Sequence, residues 1–169
     1  SLNEWGALGA YIGKQTGNYW AVPILEGVSS VPTSDSLKHF GAAMASFGST
    51  ALFHIAEITP EALRPQDLGM DQLSPNKIAY ADVMALQSSY RVTDDVDVVV
   101  FSAPQLSLIE MRSVADLCEG KQFKIPLLAV TSPQVKADSD RMGLTKTIED
   151  AGGTVFSGMC FYQSYAREI

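Results

Sequence analysis

The stretch from Val96 to Thr131, VDVVVFSAPQLSLIEMRSVADLCEGKQFKIPLLAVT, has two apolar runs on either side of a segment with helical periodicity. Val96–Phe101 and Pro126–Thr131 are mostly apolar and of strand length, which is typical of parallel strands buried on both faces. Leu106–Glu119 lies between them, and Gly120 follows it as a helix stop. This stretch therefore predicts a strand, a helix and a second strand parallel to the first.

The same alternation continues on both sides of this stretch. Apolar runs predict three more strands, at Tyr19–Leu25, Ala51–Ile58 and Thr154–Cys160. Further helices are predicted at Asn3–Lys14, after a cap at Ser34 or Asp35, at Ala81–Tyr90 and at Pro133–Ala151. We therefore expect residues 1–169 to form a single α/β domain. Its mainly parallel sheet of about five strands would lie between two helical layers, as a three-layer α/β/α fold.

The first predicted helix has an apolar face and a glycine face. Trp5, Leu8 and Ile12 form the apolar stripe. Three glycines on another face are expected to let a neighbouring backbone approach closely, at a cost in helix propensity. These glycines are Gly6, Gly9 and Gly13. Because no strand precedes this segment, it does not match a nucleotide-binding loop.

Composition narrows the classes of partner. The formal net charge is −7, and no basic stripe is present that could displace counterions from phosphates, so no nucleic-acid partner is expected. No run approaches the roughly 20 apolar residues of a membrane helix, so no membrane partner is expected. Cys118 and Cys160 form no CxxC pair, and we expect reduced thiols in a cytoplasmic protein.

Small and polar residues follow the predicted strands, and parallel strands bring such positions to one edge of a sheet, where ligands bind. The segments concerned are Glu26-Gly27, Thr59-Pro60-Glu61, Ser102–Ser107, Thr131-Ser132 and Gly158–Cys160. We expect Thr59, Ser102 and Cys160 to lie at the same edge. Thr59-Pro60-Glu61 has the pattern of a helix start, whose free N–H groups could also hold a carboxylate or phosphate.

Single residues in these segments admit two interpretations. His54 lies in an apolar run predicted to be a strand. The commoner interpretation of such a residue is a buried histidine with a satisfied hydrogen bond. The functional interpretation is a polar group that faces the sheet edge or a partner domain. Cys118 lies on an apolar helical stripe and is expected to fill the core. Cys160 is either a buried thiol or a metal ligand, and one thiolate cannot hold a cluster by itself.

Four segments together resemble the aconitase X family, in order and over nearly the whole chain. Asn3–Gly9 (NEWGALG) resembles the family pattern N-E-x-G-A-L-G, and Phe53–Ala62 (FHIAEITPEA) resembles H-x-x-G-x-T-P-E-A. Val96–Leu108 is similar to V-D-x-V-x-x-G-x-P-H-x-S. Ala151–Cys160 (AGGTVFSGMC) resembles A-G-x-x-x-x-x-D-T-C, which ends in a cluster cysteine.

The chain departs from these patterns at three places. Ala56-Glu57 stands where the family tends to have glycine. Ser102–Gln105 replaces a Cys/Thr-Pro-His pattern, so that a cysteine ligand and a histidine of some members are absent and Ala103 stands at the second cysteine position. Gly158-Met159 replaces Asp-Thr before Cys160.

The resemblance implies dehydration of a small hydroxy acid, with cis-3-hydroxy-L-proline favoured over mevalonate 5-phosphate. It implies an iron–sulfur cluster in the full-length protein with Cys160 as a metal ligand, and a small swivelling domain or subunit as partner. The chain is then part of a longer large subunit and is expected to hold no intact cluster alone. The implied substrate-binding residues are Asn3, Glu4, His54, Thr59, Glu61, Ser102 and Ser107.

Two other functions remain open from the sequence. One is a non-catalytic domain of the same fold that binds a small molecule or has a regulatory role. The departures at Ser102–Gln105 favour this alternative. The other is an α/β domain that serves as a subunit interface.

Overall fold

The computed structural model of the chain describes residues 1–61, 64–70, 72, 74–90 and 95–161, and its contacts divide the chain into two units, Ser1–Arg91 and Val92–Ile169. The first unit contains α1 (Leu2–Thr16), β1 (Ile24–Leu25), α2 (Ser34–Gly48), β2 (His54–Ile55), a 3₁₀ helix (Pro65–Leu68) and α3 (Tyr80–Ser88). The second contains β3 (Val99–Leu106), α4 (Leu108–Cys118), β4 (Leu127–Thr131), α5 (Pro133–Arg141), α6 (Leu144–Asp150) and β5 (Gly153–Ser157). The sequence predicts one domain, whereas the contacts group into these two units.

Strand pairing in the described residues is parallel throughout, which confirms the α/β class. The strands lie in two sheets, however, not in the single sheet of about five strands predicted above. β1 pairs with β2 in a two-stranded sheet, and the second unit has a three-stranded sheet in the order β3-β4-β5. We expect the apolar runs Ala51–Glu57, Val96–Phe101 and Pro126–Thr131 to lie in the interior of one sheet. In the described residues only the last of these, which forms β4, is a central strand.

The two apolar runs of the first unit form strands of only two residues each. Trp20 is 85% exposed and Leu52 is 64% exposed, so their apolar side chains do not face a sheet core. Pro23 has no N–H to donate to a ladder. The pairing is limited to Ile24 opposite His54 and Leu25 opposite Ile55. The apolar runs therefore predict strands that are longer than the two residues paired in each.

The second unit buries its core between the three-stranded sheet and its helices. Ala129 and Val130 of the central strand are fully buried, as is Met111 of α4. The long helix predicted at 133–151 is two helices, because Gly143 adopts a φ of 75° and becomes the cap of α6. Within the described residues, no helix combines the length and apolar character that a membrane crossing requires.

Helices α1 and α2 pack backbone against backbone in the first unit. A Cβ atom added to Gly13 would lie 2.6 Å from the carbonyl oxygen of Met44, and one added to Gly9 would overlap the carbonyl group of Phe40. This confirms the close approach expected at these two glycines. Nothing lies within 4 Å of a Cβ at Gly6, which therefore takes no part in it. Ile12 is buried beside Phe40 in the same contact.

The segment after β2 does not begin a helix at Thr59-Pro60-Glu61 as predicted, because residues 56–61 form turns. The Thr59 hydroxyl folds back on Ile55, accepting from its N–H at 3.1 Å and donating to its carbonyl oxygen at 3.2 Å. Threonine stabilises a turn here instead of capping a helix. Residues 62 and 63 lie outside the described residues.

Glu57 in this turn has a φ of 62°, in the left-handed region that favours glycine. It falls at the Ala56-Glu57 position, where the family pattern has glycine. The structure thus gives a backbone reason for the family's glycine and locates the strain of this departure at Glu57.

We expect Gly13→Ala to lower the free energy of unfolding by roughly 1–3 kcal/mol, because its methyl group would push α1 away from the α2 backbone. Gly6→Ala is the matched control in the same helix, where the better helix propensity of alanine should raise stability by roughly 0.5–1 kcal/mol. Urea unfolding of both variants measures these changes. A Gly13→Ala variant that is as stable as the Gly6→Ala variant, or more stable, would contradict the backbone contact.

Glu57→Gly is expected to raise the free energy of unfolding by roughly 0.5–1 kcal/mol, since it removes left-handed strain but adds freedom to the unfolded chain. Glu57→Ala keeps the Cβ and should bring no comparable gain. If alanine stabilised as much as glycine in urea unfolding, the glutamate charge and not its backbone conformation would be responsible.

Candidate functional site

The carboxyl edge of the three-stranded sheet is built where three strands end in register. Leu106 of β3 lies opposite Thr131 of β4, and Thr131 lies opposite Ser157 of β5. The buried Thr131 hydroxyl donates to the Leu106 carbonyl oxygen at 2.6 Å. Ser132 then caps α5, its hydroxyl accepting from the N–H of Val135. The edge therefore ends in a fixed row of polar groups.

Ser107 caps α4 directly after β3. Its hydroxyl accepts from the N–H of Glu110 at 3.2 Å, and its own N–H donates to a carboxylate oxygen of Glu110 at 2.8 Å. This reciprocal arrangement is a capping box. The Ser107 side chain thus supports the helix start at the sheet edge, and the positive end of α4 lies there.

The segment after β5, Gly158–Phe161, runs across the carboxyl edge towards β3. The N–H of Gly158 donates to the Thr131 carbonyl oxygen at 3.1 Å. Further along, the Gln105 amide donates to the Met159 carbonyl oxygen at 3.0 Å, and the N–H of Phe161 donates to the Ser102 hydroxyl at 3.2 Å. Cys160 lies between the last two contacts, half-buried and in no disulfide.

The two cysteines of the second unit differ in environment. Cys118 ends α4 inside the core, and its burial raises the pKa of its thiol. Cys160 is partly accessible. Among the residues that the structure describes, no group of three or more His, Cys, Asp or Glu side chains could hold a metal ion. The described part of the chain thus fits an iron–sulfur cluster as the source of one thiolate, not as a complete ligand set.

In the first unit, the turn after β2 brings His54 and Glu61 together. Their Nδ1 and Oε2 atoms are 3.6 Å apart, which permits an ion pair if the imidazole is protonated but is too long for a hydrogen bond. Among the residues that the structure describes, the His54 Nδ1 atom is buried and has no hydrogen-bond partner, so this nitrogen is not satisfied in the way that the interpretation as a hydrogen-bonded core histidine expects. Thr59 is buried in the same turn with its hydroxyl engaged by Ile55.

A cleft of about 1120 Å³ lies beside α1 in the first unit, lined by α1, the β1 segment and residues 75–83. Glu4 is at its margin, where it accepts a hydrogen bond from the Tyr80 hydroxyl at 3.1 Å. Asn3 is exposed on the first turn of α1.

The expectation that Thr59, Ser102 and Cys160 share one sheet edge is wrong for Thr59. Its strand, β2, belongs to the two-stranded sheet, because the apolar runs of the two units do not pair with each other. Ser102 and the Cys160 segment do meet, through Phe161. Ser102 is buried within β3 and not at its end. The sequence pattern indicates no separate role for Tyr80 or for the Thr131 hydroxyl, because their partners, Glu4 and Leu106, are distant in sequence.

Two family models match the chain in succession. Residues 1–87 match the aconitase X second domain, and residues 96–168 match the aconitase X third domain. The two matches fall on the two units described above.

Curated relatives agree with these matches. The chain is 33% identical over 167 residues to the phosphomevalonate dehydratase large subunit of Methanocaldococcus jannaschii, covering 98% of the chain and 41% of the relative. It is 34% identical over 164 residues to the corresponding subunit of Thermococcus kodakarensis, covering 95% and 41%. It is 30% identical over 163 residues to the cis-3-hydroxy-L-proline dehydratase of Hypocrea jecorina, covering 91% and 27%.

A solved structure gives the same result. The holo form of Thermococcus kodakaraensis aconitase X superposes with a TM-score of 0.86 at 32% identity, over 99% of this chain and 42% of that one. The chain therefore spans well under half the length of the relatives it matches. Because one family model alone matches more than half of the chain and a second matches most of the rest, the chain belongs to the aconitase X family.

Proposed function

We propose that this chain is part of the large subunit of a hydro-lyase that dehydrates a small hydroxy acid. The observation that carries this proposal is the match of the second and third aconitase X domains, in that order, to relatives named as dehydratases. The high structural similarity to a holo-form aconitase X supports it.

The carboxyl edge of the three-stranded sheet is the part of the second unit best suited to this chemistry. Two helices of at least nine residues, α4 and α5, begin there with serine caps, and their N-termini favour an anionic group such as a substrate carboxylate. Cys160 would supply one thiolate to an iron–sulfur cluster, and the other ligands would come from outside the described residues. Such a cluster, when bound, supplies a Lewis acid for the departing hydroxyl group.

The remaining substrate-binding residues are proposed because of the family resemblance. Their contacts in the structure separate those whose polar groups are already engaged from those whose polar groups are available. Thr59 and Ser107 use their hydroxyls to hold a turn and a helix cap, so they would shape the site and not contact substrate through those atoms. His54, whose Nδ1 has no hydrogen-bond partner among the described residues, and the exposed Glu61 would bind a polar group of the substrate. Asn3 and Glu4 are exposed at the margin of the cleft beside α1.

Two substrates are proposed for the complete enzyme. The sequence patterns favour cis-3-hydroxy-L-proline, whereas the more similar of the relatives described above are named for phosphomevalonate. The two differ in charge, since only mevalonate 5-phosphate carries a phosphate group. Turnover of each by the same preparation separates them.

The proposed partner is a small subunit or domain that closes over the substrate. The archaeal relatives are named as large subunits, which implies a smaller companion for those proteins. We extend that arrangement to the protein that contains this chain.

A non-catalytic binding domain is the second candidate function. Ser102 and Gln105, which stand at family positions of other chemistry, favour it. Iron and sulfide analysis of the full-length protein distinguishes the two, because only the enzyme requires a stoichiometric cluster.

In the full-length large subunit with its small subunit, Cys160→Ser is expected to lower cluster content and turnover by at least roughly 10–100-fold, since a hydroxyl is a poor iron ligand. Cys118→Ala is the matched control, because Cys118 lies in the core, and it should retain the cluster. Assays use both candidate substrates. Full cluster content in Cys160→Ser, or no turnover of either substrate by a cluster-loaded wild type, would reject the proposed function.

The 169-residue chain purified alone is expected to hold no stoichiometric cluster and to show no dehydratase activity. One accessible thiolate cannot retain a cluster, and the partner that would exclude water is lacking. Anaerobic reconstitution with iron and sulfide, followed by visible charge-transfer absorption and turnover of cis-3-hydroxy-L-proline, measures both. A stoichiometric cluster dependent on Cys160 would contradict this expectation.

A further inference from the structure

Two residues that depart from the family patterns form hydrogen bonds to the same short backbone segment, Met159–Phe161. Ser102 stands at a glycine of the pattern V-D-x-V-x-x-G-x-P-H-x-S, and Gln105 stands at its histidine. Both belong to β3, an edge strand of its sheet in the described structure. Both donate to or accept from the segment that follows β5, more than fifty residues later in the chain.

The two contacts bracket Cys160. The Gln105 side-chain amide donates to the carbonyl oxygen of Met159 at 3.0 Å, immediately before the cysteine. The N–H of Phe161, immediately after it, donates to the Ser102 hydroxyl at 3.2 Å. A glycine at position 102 could not form the second contact, because it has no side chain.

We propose that Ser102 and Gln105 are positioning residues that together clamp the Met159–Phe161 segment and thereby fix the Cys160 thiol at the carboxyl edge of the sheet. The clamp itself is a property of this chain. Its importance for a metal ligand rests on the proposed function.

Burial strengthens the Ser102 contact. Ser102 is only 6% exposed and Phe161 only 7%, so their hydrogen bond lies where water has little access. Loss of the hydroxyl would leave a buried donor without that partner, which is costlier than loss of an exposed hydrogen bond.

A backbone hydrogen bond at the start of the segment adds to these two contacts. Gly158 donates to the end of β4 through the Thr131 carbonyl oxygen. That bond holds the start of the segment, whereas Ser102 and Gln105 carry it across to β3. Without them, Cys160 would be tied to the sheet only on the β5 side among these contacts.

The test uses the 169-residue chain with Cys118→Ala, so that Cys160 is the sole thiol. Ser102→Ala and Gln105→Leu each remove one contact while nearly preserving size, and Ser102→Thr retains a hydroxyl as the conservative control. Two quantities are measured: the amide hydrogen exchange rate of Phe161 by NMR, and the rate at which iodoacetamide alkylates Cys160.

We expect Ser102→Ala to speed exchange at the Phe161 amide by roughly three- to tenfold, the range that corresponds to one net hydrogen bond. Ser102→Ala and Gln105→Leu should both speed alkylation of Cys160, and the double variant should exceed either. Ser102→Thr should restore slow exchange and slow alkylation. Amides of the central strand β4 serve as the internal reference, and their exchange should not change.

Unchanged Phe161 exchange and unchanged alkylation in both single variants, with β4 protection intact, would overturn the clamp. Faster exchange that extends equally to β4 would also overturn it, because that result means general destabilisation. These outcomes are independent of cluster content and turnover, so failure of the clamp and failure of the proposed function are distinguished.

Discussion

The buried Thr131 hydroxyl fixes the carboxyl edge on which the second unit's candidate site depends. The β3–β4 register shifts between Phe101 and Leu106, and the hydrogen bond from Thr131 to the Leu106 carbonyl oxygen joins the two strands again after that shift. Because β3 ends there, Ser107 can cap α4 at the same level. The Thr131 carbonyl oxygen meanwhile receives the N–H of Gly158. One residue thus sets the ends of all three strands.

The first unit depends on a different constraint, the absence of side chains between α1 and α2. Gly9 and Gly13 admit carbonyl groups of α2, so the two helices contact each other through backbone atoms, and Phe40 packs beside Ile12. A sheet of two-residue strands supplies few ladder bonds. Helix contact therefore organises this unit, whereas strand pairing organises the other.

The sequence predicted element types well where periodicity and pairing agreed, as in α1 and β4. It predicted one sheet of about five strands where the structure has a two-stranded and a three-stranded sheet. The reason is that an apolar run, such as the one around Trp20, has the pattern of a strand whether or not a partner strand is present. The helix break at Gly143 was missed since glycine is tolerated within helices, and only its positive φ marks an end. Among candidate site residues, Ser102 and Cys160 are predicted to lie at the same sheet edge. The contact of Ser102 with the Cys160 segment through Phe161 depends on tertiary structure, because the two residues are distant in sequence.

Departures from a family pattern have opposite physical meanings in the two units. Glu57 replaces glycine at a positive φ and adds strain, and its side chain makes no hydrogen bond to another residue that the structure describes. Ser102 also replaces glycine, yet it gains a buried hydrogen bond that glycine cannot make. A substitution list would treat the two alike. Backbone conformation and burial separate them: the Ser102 hydroxyl makes a buried contact beside Cys160, whereas Glu57 adds strain to the turn after β2.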